Sequence, residues 1–365
     1  MNKKILMSSF APIYAAGLLS LLFIAATAFL ATRATGLRGE MIEASRLMAR
    51  AEDALRNCRA LKGVAIDPGT DPNRTGLVGL ETSPTTTSLG NLEAKRTTAN
   101  PNFAGLLVDL FEQAGLKKND AVAVGASGSF PALIIATLTA ARVAGLRPLM
   151  ISSLGASDWG ANNADFNWLD MEGCLQGAGL LDVASIAVAV GGAEDIGRDM
   201  SPEGREALKT RILESGIPFL DEPDLETNVA TRLLIYEKAA AGRPIRAFVN
   251  IGGSWANIGT NAEILKLRPG LSRQAFVPPP GERGVLQAMA AKGIPIIHLL
   301  NVRGLCERYG LPWDPKPLPG PGGGALYGRA TARGRSFILA SALYLLLILC
   351  VVLWRLKNRR LPGRV

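Results

Sequence analysis

Histidine is nearly absent from this sequence. The 365 residues contain one, His298, beside only four cysteines. A single imidazole excludes a His-rich zinc site, and none of the cysteines is in C-x-x-C spacing. One disulfide among Cys58, Cys174 and Cys306 in an oxidising compartment, or three free thiols, both fit the spacing; Cys350 lies in an apolar run. There is no internal repeat of 20–50 residues. Acidic residues are also missing, but only locally. Segments 1–33 and 333–365 carry none, against ten Lys or Arg, which leaves 30 basic and 31 acidic residues between them. The net charge of +9 therefore belongs to the termini, and the near-neutral middle argues against nucleic acid as a partner.

Each terminus also holds an uncharged apolar run, Phe10 to Thr32 and Ser336 to Trp354. The first satisfies the ~20 mostly apolar residues that cross a bilayer, and the second, with Trp354 and basic residues at its end, is a strong transmembrane signal. Lys3 and Lys4 before the first run, and Arg355, Lys357, Arg359 and Arg360 after the second, favour cytoplasmic tails. The expectation is a two-pass protein of the inner, or cytoplasmic, cell membrane with an extracytoplasmic middle. Residues 1–33 are expected as an anchor, with a cleaved signal peptide ending near Ala26 to Ala28 as the alternative. A stalk helix and loop follow at 34–100, an α/β domain at 101–311 and a Pro/Gly-rich linker at 312–335. A transmembrane helix at 336–354 and a basic cytoplasmic tail at 355–365 complete the expected order.

What is there in abundance is glycine, 40 residues, with a few beside serine at the ends of short apolar runs. Val122 to Val124, Leu149 to Ile151, Ile186 to Val190, Ile217 to Leu220, Arg246 to Ile251 and Ile294 to Leu300 read as strands. Helical segments lie between them, including one opened by Pro131 and one capped by Ser201 before Pro202. Strand, tight turn, helix and strand in alternation predict an α/β fold with a mostly parallel, doubly wound-type sheet flanked by helices, and one transmembrane helix at each end. Met41, Leu47, Met48, Ala51 and Leu55 recur at helical spacing in the stalk.

Three of these strands end in small polar turns: Gly125, Ser127, Gly128 and Ser129; Gly191 and Gly192; Gly253 and Ser254. In an open parallel sheet such ends share one crevice, and glycine-rich turns expose backbone N–H groups to an anion. The polar stretch 154–172 adds Ser157, Asn162 and Asn163 as candidate ligand contacts. Catalysis has its own candidates. Ser127 or Ser129 in a strand–turn–helix setting could act as nucleophile, although Ser at 129 breaks the G-x-S-x-G elbow. His298 is then the candidate base, oriented by Asp158, Asp170 or Asp195. The competing roles are an N-cap for Ser129 and a satisfied core imidazole for His298. Asp170, Glu172, Glu194 and Asp195 read as solvated loop and helix-start acids sooner than as cation ligands; neither metal nor cofactor is expected.

The block from Ser127 through Pro131 to Leu133, the stretch Ser153 to Asn162, Trp168 to Glu172, Gly191 to Gly197 and Ile296 to Asn301 together resemble the poly-gamma-glutamate system protein family. The resemblance spans most of the chain. It implies a membrane-bound accessory of capsule or exopolymer biosynthesis or export, with the bilayer, the synthase and export membrane proteins, and the glutamyl polymer as partners. It carries no catalytic assignment. Every unit of that polymer bears a free carboxylate, which suits N–H-rich turns. The expected function is binding of glutamyl carboxylates; the alternatives are a serine-dependent hydrolase or transferase of gamma-glutamyl bonds and a tethered solute-binding domain.

Overall fold

In the computed structural model the backbone is described for residues 3–331 and 334–359, and side chains for 13–28, 35–328 and 340–356. In chain order the elements are α1 (Lys3–Leu61), α2 (Leu92–Thr98), α3 (Asn102–Ala114), β1 (Ala121–Ser127), α4 (Pro131–Val143), β2 (Arg147–Ser153), α5 (Trp168–Gly177), β3 (Ser185–Ala189), α6 (Pro202–Ser215), β4 (Phe219–Leu220), α7 (Leu225–Ala240), β5 (Ile245–Ile251), α8 (Trp255–Ile258), β6 (Gly270–Ser272), α9 (Val285–Ala291), β7 (Ile296–Leu299), α10 (Val302–Tyr309), α11 (Ala325–Thr331) and α12 (Gly334–Arg359). The chain divides into two compact units, one of residues 40–326 and one of 1–39 with 327–365.

In the larger unit seven strands form one sheet in the order β4-β3-β2-β1-β5-β7-β6. All neighbours are parallel except β6, which pairs antiparallel with β7. The chain builds outward from β1 through β2 and β3 to β4, then returns to the other side of β1 with β5. The direction of winding thus reverses between β1 and β5, which is where an open α/β sheet has its ligand crevice. β1 is buried at every position, as a strand covered on both faces must be. β6 is absent from the sequence expectation because Gly270, Leu271 and Ser272 are too short a run to show a period.

The segment expected to be a stalk belongs to this unit. Met41, Ala44, Met48, Ala51 and Leu55 are fully buried, a stripe at three- and four-residue spacing. The Arg59 guanidinium donates to the carbonyls of Ala65, Gly76 and Val78 and so fastens the loop that follows α1. The Pro/Gly-rich stretch after α10 is likewise tied down. Arg96 Nε and Nη2 each donate to Asp314 at 2.7 Å, and Gly322 N donates to Asn102 Oδ1. Cys58 and Cys174 form a disulfide linking α1 to α5, and Cys306 is a buried free thiol.

In the smaller unit Tyr344 stacks on Phe23 at 4.5 Å and shares a 2.9 Å hydrogen bond with Ser20. Among the described residues no helix is long and apolar enough to cross a membrane. This corrects the expectation of one transmembrane helix at each end, and with it the two-pass placement in the cell membrane with cytoplasmic termini. The side chains of 10–12, 29–32 and 336–339, and all of the tail from 360 to 365, lie outside the described residues.

The disulfide closes a loop across 116 positions. Cys58→Ser is expected to lower unfolding free energy by about 2–4 kcal/mol. Urea denaturation with and without reductant checks this: the wild type should fall to the variant's stability on reduction, while the variant should not respond.

Candidate functional site

A cavity of about 470 Å³ opens at the carboxyl edge of the sheet. Its wall comes from the turns after β1 (Ser127, Ser129, Phe130), β2 (Ser153, Gly155, Ser157), β3 (Gly192, Ala193) and β5 (Gly253, Ser254), with Trp255 of α8. Residues Thr87 to Asn91 cross this edge and complete it. They are held there by Thr87 N donating to Ala156 O at 2.9 Å, Asp158 N to Ser88 O at 3.0 Å and Gly90 N to Asp158 Oδ2 at 3.1 Å.

The charged residues of the lining are Lys95 and Asp199. Asp199 Oδ1 accepts from Ala193 N at 2.8 Å. Lys95 is only 3% exposed. Its Nζ donates to the Ser129 carbonyl, lies 2.7 Å from Ser157 Oγ and sits 4.0 Å from the centre of the Phe130 ring. Burial lowers its pKa to about 7, opposed by the nearby Asp158 carboxylate. The Ser254 hydroxyl is buried and has no hydrogen-bond partner.

Of the expected ligand contacts, Ser127, Ser129, Ser157, Gly192, Gly253 and Ser254 line the cavity. Gly125, Gly128, Gly191, Asn162 and Asn163 do not, and have other tasks. A Cβ at Gly125 would lie 2.6 Å from the Asn257 side chain, and one at Gly128 2.6 Å from Leu154 O, so both positions exist to let neighbours approach. Asn162 pairs with both backbone groups of Leu80, and its Nδ2 also donates to Thr86 Oγ1, clamping the segment that leads into the cavity wall. Asn163 Oδ1 accepts from Asp165 N in a local turn.

The expected Ser–His–Asp grouping is not assembled. His298, on β7, lies opposite Asn250 of β5, whose Nδ2 is 3.0 Å from His298 Nδ1. Burial pushes its pKa down to about 4, so it is a neutral core imidazole. Asp170 closes the capping box of α5 and carries ion pairs to Lys62 and Arg211 at 2.6 Å each. Ser127 Oγ accepts from Ser129 N, and Ser129 Oγ accepts from Ser157 N, so both hydroxyls brace turns. Glu172 accepts from the backbone and hydroxyl of Ser185, and burial raises its pKa to about 7. Glu194 pairs with Arg198. Among the described residues no group of three or more His, Cys, Asp or Glu is placed to hold a metal ion.

Asp195 shapes the β3 turn. It has positive φ, as do Gly191, Gly192 and Glu194. Its carboxylate accepts from Arg232 Nη2 at 2.5 Å, Asn228 Nδ2 at 3.1 Å and Ser153 Oγ at 3.3 Å, and both ion-pair partners are fully enclosed. The strained backbone is thus fixed by a buried network one layer behind the cavity. Sequence reasoning missed Lys95, Thr87 to Asn91 and Arg232. Lys95 stands in a short polar helix whose pattern gives no sign that one face is buried.

Two outcomes follow. Arg232→Met leaves Asp195 charged and unpaired in the core and should cost about 3–5 kcal/mol in urea denaturation. His298 takes a proton with a pKa near 6.5 when unfolded but about 4 when folded, so it draws stability away as pH falls through that window. His298→Gln should flatten the pH 7-to-5 decline in stability measured the same way. No family model, curated protein or solved structure matches this chain, so the reading of the cavity rests on the residues that form it.

Proposed function

We propose that the α/β unit binds the free carboxylate of a glutamyl unit in poly-gamma-glutamate, as an accessory of the machinery that makes or exports that polymer. The observation that carries the reading is the buried, unpartnered Ser254 hydroxyl in the same cavity wall as Gly192, Gly253 and the buried Lys95. A buried hydroxyl without a partner costs stability unless a ligand supplies one. A carboxylate offers acceptor oxygens to that hydroxyl and to the backbone of the glycine turns. Lys95 supplies attraction for an anion without a broad basic surface, which suits a cavity that takes one unit of a polyanion and leaves the rest in solvent. The link to glutamyl polymer in particular is supported by the sequence blocks that resemble the poly-gamma-glutamate system family.

Calorimetric titration of the full chain with short gamma-glutamyl oligomers tests the reading. Saturable binding is expected, with Ser254→Ala weakening it by about 1.5–3 kcal/mol, the range for a hydrogen bond to a charged group. An anion favours protonated Lys95, so affinity should be highest below pH 7 and fall as pH rises above it. Equal binding of oligomers whose carboxylates are amidated, or no binding at all, would sink it.

A further inference from the structure

Among the serines that line the cavity, Ser157 is set beside an amine. Ser127 and Ser129 spend their hydroxyl oxygens accepting backbone N–H groups. Ser157 Oγ instead lies 2.7 Å from an amine, Lys95 Nζ. Both partners are nearly closed off from bulk solvent, at 7% and 3% exposure, yet both line the cavity. Both are held by the turn after β1. Ser157 N donates to Ser129 Oγ at 3.0 Å, and Lys95 Nζ donates to the carbonyl of the same Ser129 while resting on the Phe130 ring. A nucleophile and a base within hydrogen-bond reach, each held by a second contact, is the arrangement that covalent catalysis requires.

We propose that Ser157 is a nucleophile and Lys95 its general base, and that the cavity cleaves or transfers gamma-glutamyl amide bonds. The choice of substrate rests on the glutamyl reading above; the serine–lysine pair does not. In the first step the Lys95 lone pair takes the hydroxyl proton as Ser157 Oγ bonds to the gamma-carbonyl carbon. The C–N bond then breaks and the leaving amine receives the proton from Lys95 Nζ. In the second step water, or the amine of another glutamyl chain, attacks the resulting ester and gives its proton to Lys95. The Oγ–C bond breaks, the proton passes to Ser157, and the products are a carboxylic acid or a new amide. No oxidant or other reagent is required. A gamma-linked unit carries its alpha-carboxylate and its gamma-carbonyl on either side of the alpha carbon and two methylenes, and Ser254 and Ser157 line the same cavity.

Burial suits Lys95 to this work, because an ordinary lysine is almost wholly protonated at neutral pH, whereas here the free amine is present from about pH 7. Asp158 favours the protonated form and Asp199 is the other charged residue of the lining. A purely bracing lysine would hold Ser157 in place but would not make it react.

The experiment incubates the full chain with an uncharged fluorophosphonate, maps any adduct by peptide mass spectrometry, and in parallel follows binding and chain length of gamma-glutamyl oligomers. The expected result is an adduct on Ser157, labelling that rises with pH through about 7, and labelling slowed roughly 100-fold or more in Lys95→Met. Lys95→Met also guards against a Ser157→Ala variant that fails to fold. Oligomers that bind without being shortened or extended, with no adduct on Ser157, overturn the dyad and leave the binding reading standing. An adduct on Ser157 without oligomer binding upholds the dyad and removes the glutamyl substrate. An adduct on Ser127 or Ser129 instead overturns the assignment of the nucleophile.

Discussion

Lys95 reaches from a short helix into the rim of a parallel sheet, where its amine donates to Ser129 and meets Ser157 almost out of contact with water. Removing an ammonium from water is unfavourable, and a protein tolerates it only where hydrogen bonds, a ring face or loss of the proton compensate. All three apply here. The carbonyl of Ser129 and the hydroxyl of Ser157 accept, Phe130 offers its ring face, and the pKa falls to about 7. The same contacts join the turn after β1 to the turn after β2, so the cavity rim and the protonation state of its amine cannot be altered separately.

Behind that rim a different kind of constraint operates. The β3 turn needs consecutive residues of positive φ, two of which, Glu194 and Asp195, are not glycine. Such backbone is held only when its surroundings leave no alternative. Asp195 meets that condition through Arg232, Asn228 and Ser153, the last of which also lines the cavity. The two networks therefore share β2: Ser153 ties its end to the β3 turn, and Ser157 ties the following loop to α2. β2, one strand removed from the point where the winding reverses, is therefore braced from both sides.

Much of this was legible in the sequence because it depends on local chemistry. Short apolar runs closed by Gly or Ser marked β1, β2, β3 and β5, and Pro131 and Ser201 marked helix starts, since those signals act within a few residues of themselves. Side-chain partnership across the sheet was not legible. His298 looked like a base because it was the only imidazole, but its surroundings, Asn250 and a closed core, come from a strand 48 residues away. Asp170 looked available and is instead held by Lys62 and Arg211. Lys95 gave no indication, because its burial is caused by loops 34 and 62 positions distant. The apolar termini were read from run length, composition and flanking charge, and among the described residues no helix is long and apolar enough to cross a membrane.

The polar stretch 154–172, irregular up to the start of α5, gathers contacts with several distant segments. Residues 154–172 contribute Ser157 to the cavity, Asn162 to the clamp on Leu80, Asp158 to the strap at Gly90 and Asp170 to the charge cluster on α5. A segment whose backbone is satisfied piecemeal by distant partners has no repeating pattern to show, because each residue answers to a different neighbour. Irregularity of that kind concentrates where several elements must be registered against one another. In this fold that requirement falls at the carboxyl edge, so the segment hardest to read is also the one that carries Ser157 into the cavity wall.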